Sequence, residues 1–402
     1  MTFLTHEFFR PAIEQAGIRF VPFVGDAAVH PAQFTAELAE HEPGPDVSIW
    51  YFERLMVNRM TAEHQQIQEE LAAAGEPVVL VTDAACIGGW PIALGAPGIR
   101  PAAFIVLLTS TQVIPSVDAD PTDMTLPEDT TEARARYLAM AAMLRDMFAA
   151  PHQRLEEKMA GLGVTPPVPF YLDGMAHVPD RVLQLCPPGF EYPRSDLPAM
   201  FRYAGVPGPA PSADELPSWW PDVVDAERVV VVTQGTLANK DHSALLEPAM
   251  HALAELDALV VVTTGGAEAA FDRVPANVRV STYVPFNLLL PHVDVLVTNG
   301  GLGGVLQALS HGVPVVVAAD SGDQPGVANR VEWTGTGINL HTGRPTDAAV
   351  REAVDAVLKE PSYRDAARRL QAEIANLDAA VELENAIAEL TAHGTAAAGG
   401  AK

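Results

Sequence analysis

Thr298–Leu340 reads TNGGLGGVLQALSHGVPVVVAADSGDQPGVANRVEWTGTGINL, and the order of its parts decides the fold. An apolar run ends at Thr298, a glycine-rich loop follows over Asn299–Gly304, and a helical pattern opens directly out of it. A second apolar run, Val313–Ala318, leads through Asp323-Gln324 into another helical pattern at Val327–Thr334. Strand, loop and helix repeated at this spacing predict parallel strands with crossover helices. Glycines let the main chain approach an anion, and the first amides of a helix, with its dipole, favour negative charge there. A diphosphate fits that description. A turn made glycine-rich only by tight packing fits it too, and the loop alone does not separate the two.

Working outward, Val229–Thr233, Ala258–Thr263 and Val278–Val280 read as further strands. Helical patterns at Ser243–Leu256 and Asp347–Leu358 complete a doubly wound parallel sheet. The junction Val232–Thr236 offers a hydroxyl and main-chain donors beside the glycine-rich loop, and Asp323 and Gln324 carry groups suited to sugar hydroxyls. Tyr283, ahead of Val284-Pro285, presents a ring on which a base can stack. Partners for phosphate, sugar and base therefore gather at one sheet edge.

The N-terminal half carries the same alternation less regularly. Met1–Leu4 and Arg19–Phe23 read as strands around a helix at Glu7–Gln15, and Pro77–Thr82 as a buried strand. Thr131–Ala160 has helical spacing, with Met140, Met143 and Met147 on one face as packing residues. Pro207–Asp225 reads as a linker with Trp219 and Trp220 stapling it to one domain. The expected fold is α/β, with two Rossmann-like doubly wound domains facing across a cleft. Residues 1–206 form the first, 207–227 the linker, 228–390 the second, and 391–402 a disordered tail.

The order YVPF, LLPHVD, GG.G, AL.HGVP and DQP through this second half resembles the donor-site signature of GT-B glycosyltransferases of the UDP-glycosyltransferase and macrolide-glycosyltransferase type. The resemblance covers nearly the whole chain and is strongest from Val229 to Leu340. It implies an inverting transfer of a hexose, glucose above all, from a UDP-sugar to a hydroxyl of a lipophilic small molecule. No resident cofactor or metal is implied. By the resemblance, Tyr283 stacks on the base and Val284 bonds its edge. Thr236, Gly301, Gly303 and Gly304 meet the diphosphate, Asp323 and Gln324 bond the sugar, and Gln307 stands at the ribose. The sequence departs from the family where Asn299 replaces a histidine, Gly304 a Ser or Thr, and Gln307 a glutamate. Asn299 is expected to supply the phosphate with an amide donor in place of imidazole.

Transfer needs a general base on the acceptor hydroxyl. In the family this is a histidine after the first strand, oriented by an aspartate for which Asp83 is the match. Asp83 also reads as a helix N-cap for the segment beginning at Ala84. The opening Met1–Thr5 resembles the family's second strand, so the first strand and its histidine are expected upstream of Met1, and without them the sheet holds a gap. His6 is the least implausible substitute. A nucleotide-sugar-binding protein without catalysis is the rival reading, and an epimerase a weaker one, since no carboxylate and histidine set for it is legible.

Composition narrows the partners. Of 402 residues 48% are apolar, enough for large cores, and a formal charge of −26 disfavours nucleic acid and anionic membranes. No apolar stretch is long enough to span a bilayer. Cys86 and Cys186 read as buried thiols rather than a disulfide framework, and a cytoplasmic location is expected. Asp118-Ala119-Asp120, reminiscent of a metal-binding triplet in another glycosyltransferase fold, reads as a solvated turn. The sequence does not set the oligomeric state.

Overall fold

The computed structural model describes the chain apart from residues 39, 42–43, 113, 209–215, 237–240, 267–270 and 400–402. In the N-terminal half, β1 (Thr2–Thr5) pairs in parallel with β2 (Arg19–Pro22). A separate parallel sheet runs in the order β3 (Val79–Asp83), β4 (Ala103–Leu108), β5 (Arg181–Gln184), β6 (Phe201–Tyr203). No ladder joins the two pieces among the described residues. Val81 on the edge strand β3 is 37% exposed and Phe3 on β1 is 48% exposed, whereas β4 is almost wholly buried.

The C-terminal half holds β7 (Val229–Thr233), β8 (Leu259–Thr263), β9 (Val278–Ser281), β10 (Val295–Thr298), β11 (Val315–Val317) and β12 (Gly337–Asn339). They form one parallel sheet in the order β12-β11-β10-β7-β8-β9. Successive valines of β7 point to opposite faces. Val229 and Val231 meet the helices Leu302–Ser310, Gln324–Thr334 and Pro361–Ile374. Val230 and Val232 meet Leu246–Ala252 and Asp347–Lys359. Both faces are covered, which is why the run is apolar throughout.

Several expectations change. The last helix runs Ala379–Gly399, so the segment from Thr391 continues a helix instead of starting a disordered tail; residues 400–402 lie outside the described ones. Its alanine-rich sequence favours helix, and Thr391 Oγ1 donates to the Ile387 carbonyl at 2.8 Å. This helix leaves the second half and packs Ala386 against Ile105, Leu183 and Ala204 of the first, so the chain crosses back before residue 390. An ion pair between Arg181 and Glu389, 2.9 Å, fixes the return. Within the expected linker, Trp220–Asp225 is helical, and Trp219 and Trp220 pack on the C-terminal core; residues 209–215 lie outside the described residues. The expected helix Glu7–Gln15 begins as a 3-10 turn, with the α-helix confined to Arg10–Gln15. Met143 faces solvent, because Ala133, Tyr137, Ala141 and Leu144 form the buried face of its helix. Cys86 is only partly buried. The expected solvated turn is an ordered loop instead. Asp120 is buried and accepts from the Thr122 amide and hydroxyl and from Thr125, while Asp118 accepts from Ser195 at 2.7 Å.

Candidate functional site

β7 and β10 are neighbours in space although β8 and β9 separate them in sequence, so the sheet reverses its winding between them. Thr233 and Thr298 stand level in the ladder. The loops leaving such a pair run to opposite sides and open a crevice, the usual ligand site of this architecture. Gly235, in the loop after β7, has φ +71°. Asn299 starts the loop after β10, and its Nδ2 donates to the Gln234 carbonyl at 2.6 Å. The amide expected to face phosphate therefore ties the two loops together.

Glycines in this loop do different work. Gly300 has φ +90°, and a Cβ there would lie 2.7 Å from Val317 Cγ1, so it is required by packing. Gly300→Ala is expected to cost about 1–3 kcal/mol through the backbone alone, read as a lower urea midpoint with an unchanged slope. A Cβ at Gly301, Gly303 or Gly304 would meet nothing within 4 Å. The helix Leu302–Ser310 begins after Gly301 with no side-chain cap, so its opening amides face the crevice without a side-chain partner.

Around this point the expected residues are distributed as follows. Thr236 is exposed on the turn after Gly235, and Gln307 is exposed on the helix. Tyr283 is 51% exposed, its carbonyl held by Ser281 Oγ at 2.8 Å, while the Val284 side chain is buried in the core. Asp323 occupies the N-cap position of Gln324–Thr334 without capping it. The Asp323 side chain is exposed, and partial desolvation, then the charge of Asp123, hold its carboxyl above its ordinary pKa. A cavity of about 320 Å³ at this edge is lined by Gln234, Asn299, Asp320, Gln324 and Arg344, with Thr35 closing it from the first half. Arg344 donates to Asp241 at 2.5 Å. Neither Arg344 nor Thr35 was legible from sequence, because each sits in a segment with no local pattern of its own.

On the opposite wall, Asp83 ends β3. Its Oδ1 accepts from the Ala85 amide at 2.8 Å and its Oδ2 from Thr109 Oγ1 at 2.9 Å. The carboxylate thus caps the turn while remaining exposed. Tyr51 lies within electrostatic reach of both walls: burial, then Asp323 and Asp83, raise its phenol. His6 Nδ1 accepts from the Phe8 amide at 3.0 Å and its ring meets His30 edge-on at 4.9 Å, so it caps a turn. Among the described residues no three His, Cys, Asp or Glu come together to hold a metal, and no helix is long and apolar enough to cross a membrane.

Parallel-sheet α/β halves, with a glycine-rich loop at the switch point of the second, define a GT-B glycosyltransferase. The glycosyltransferase of kitacinnamycin has this fold: its crystal structure superposes with a TM-score of 0.71 at 22% identity, covering 97% of this chain and 90% of that one. Residues 247–390 match the family model for the C-terminal domain of erythromycin biosynthesis protein CIII-like proteins. UDP-glucosyltransferase A1 of Starmerella bombicola is 37% identical over 98% of this chain and 86% of its own. UDP-glycosyltransferase 2 of Phaeomoniella chlamydospora is 35% identical over 98% and 90%. The chain belongs to the UDP-glycosyltransferase family.

Proposed function

We propose that this enzyme transfers glucose from UDP-glucose, with inversion, to a hydroxyl of an apolar small molecule in the cytoplasm. The observation that carries the reading is the convergence of loops at the β7–β10 switch point, beside the helix that begins with Asp323 and Gln324. In it the opening amides of Leu302–Ser310 hold the diphosphate together with Thr236, and fixed amides with a helix dipole neutralise the leaving group without a metal. Tyr283 stacks on uracil, the main chain of Val284 bonds its edge, and Gln307 bonds the ribose. Asp323 and Gln324 hold the glucose. The names of the relatives support the donor, and free Cys86 and Cys186 suit a reducing compartment.

The acceptor hydroxyl then enters from the Asp83 and Tyr51 side. Asp83 orients the base of the reaction, and the ring of Tyr51 borders the acceptor. As the acceptor oxygen attacks the anomeric carbon its proton passes to the base that Asp83 orients, the bond from that carbon to the diphosphate breaks, and UDP leaves with inversion of configuration. Among the described residues no imidazole is bonded to Asp83, and that favours, as a second reading, a protein that binds the nucleotide sugar without turning it over. Incubation with UDP-glucose and a panel of flavonoid, macrolide and sterol acceptors separates the two. The proposal expects a β-glucoside and free UDP. UDP uptake with neither product would establish the second reading.

A further inference from the structure

Arg330 is wholly buried two-thirds of the way along the Gln324–Thr334 helix. It lies about two turns below Asp323. Its Nη1 donates to Asp123 Oδ2 at 2.5 Å, and its Nε and Nη2 donate to Glu191 Oε2 at 2.9 and 2.7 Å. The guanidinium lies 4.5 Å from the ring centroid of Tyr192, which Trp333 of the same helix contacts edge-on at 5.4 Å. Asp123 and Glu191 are 4% and 2% exposed, so the whole cluster is desolvated.

Both carboxylates come from loops of the first half. Asp123 sits in the loop after β4, and Glu191 in the segment after β5. Arg194 ties these two loops by donating to the carbonyls of Gln112, at 2.7 Å, and Ile114. Asp123 adopts φ +61°, a left-handed conformation that aspartate tolerates better than most side chains. The Asn329 side chain adds a bond to the Asp123 carbonyl at 3.2 Å. Gly326, one turn before Arg330, lets Asp123 approach: a Cβ there would collide with the carboxylate.

We propose that Arg330 is a positioning residue, whose buried fork pins the first half to the helix bearing Asp323 and Gln324 and so fixes the distance over which sugar meets acceptor. This rests on the donor reading above for what Asp323 and Gln324 hold, but the pinning itself is independent of it. A buried ion cluster adds little net stability over an apolar one of equal volume, so its contribution is geometric. Lysine cannot reproduce it, since an ammonium does not span two carboxylates as a planar fork does.

The test replaces Cys86 and Cys186 by alanine, places spin labels on cysteines substituted at the exposed Asp129 and Lys359, one in each half, and measures their separation by pulsed dipolar spectroscopy. The parent chain is expected to give one narrow distance. Arg330→Met and Gly326→Ala broaden it and shift its mean, and Arg330→Lys gives an intermediate width. Gly326→Ala removes no charge and favours helix, so it reports on the pin even if Arg330→Met does not fold. Affinity for UDP, followed by calorimetry, stays within about twofold, and where glucoside is formed kcat falls on the order of tenfold or more at unchanged donor KM. An unaltered narrow distance in both Gly326→Ala and Arg330→Lys overturns the proposal. Failure of the parent chain to take up UDP defeats the donor reading instead, and leaves the distance measurement standing.

Discussion

Replacing Asp323 by alanine is expected to lower kcat/KM for UDP-glucose on the order of a hundredfold and to leave the affinity for UDP within about twofold, because two charge-assisted hydrogen bonds to sugar hydroxyls are lost at about 1.5 kcal/mol or more each. The side chain does not cap its own helix, so the helix tolerates the change. The residues proposed for the base and diphosphate lie on other loops and are untouched. Partial desolvation raises the Asp323 carboxyl above its ordinary pKa, and a hydroxyl that donates to it favours the ionised form. Steady-state kinetics with UDP-glucose, paired with calorimetry of UDP, measures both halves of the expectation. A parallel fall in UDP affinity would show that Asp323 supports the fold of the site rather than the sugar.

The second large effect concerns stability. Glu63 is completely buried, accepting from the Gly88 amide at 3.1 Å and paired with Arg59 at 2.9 Å. Burial outweighs Arg59 and pushes its pKa from 4.5 up to about 7. A carboxyl raised in the folded state stabilises the fold fully below its unfolded pKa, and that contribution disappears as the pH climbs through the folded value. The unaltered chain should therefore lose stability between pH 4.5 and 7, the window set by the two values. A rise of this size corresponds to about 3 kcal/mol. Glu63→Gln removes the titration, so its stability relative to the parent improves by up to that amount between about pH 5 and 8. Urea denaturation of both proteins at the two pH values reads this directly. Parallel pH profiles would mean that Arg59 keeps Glu63 ionised throughout.

How much of this was legible in the sequence depended on burial. Val229–Thr233 and Val295–Thr298 are covered on both faces, so their apolar runs read as strands at nearly their true bounds. β6 and β12 are three residues each and partly exposed, and carry no pattern. β4 is nearly as buried as β7, but it lies in a charge-free stretch from Pro101 to Val117 with no charged residue to mark its ends, which blurred the element. The last helix returns to the first half on small contacts such as Ala386, and an alanine has the same spelling on either domain. In the candidate site, the glycine-rich loop and Asp323-Gln324 were visible because short local spacing defines them. Tyr51, Arg344 and the Arg330 cluster were not, since each acquires its meaning from residues far away in sequence. The Asn299 link to Gln234 was missed for the same reason: the sequence places an amide near phosphate, and only the neighbouring loop supplies a carbonyl for it.

Main-chain amides opening the Leu302–Ser310 helix are the centre of the account, and one substitution addresses them without adding or removing a side-chain charge. Gly303 is the second residue of that helix, within the first turn where proline is tolerated, and proline there removes the amide hydrogen. Titration calorimetry of UDP into the parent chain and into Gly303→Pro should give saturable binding to the parent and affinity weaker by about tenfold or more in the variant, at a melting temperature changed by only a few degrees. Equal affinity of the two proteins for UDP, or no heat of binding to the parent, would contradict the account.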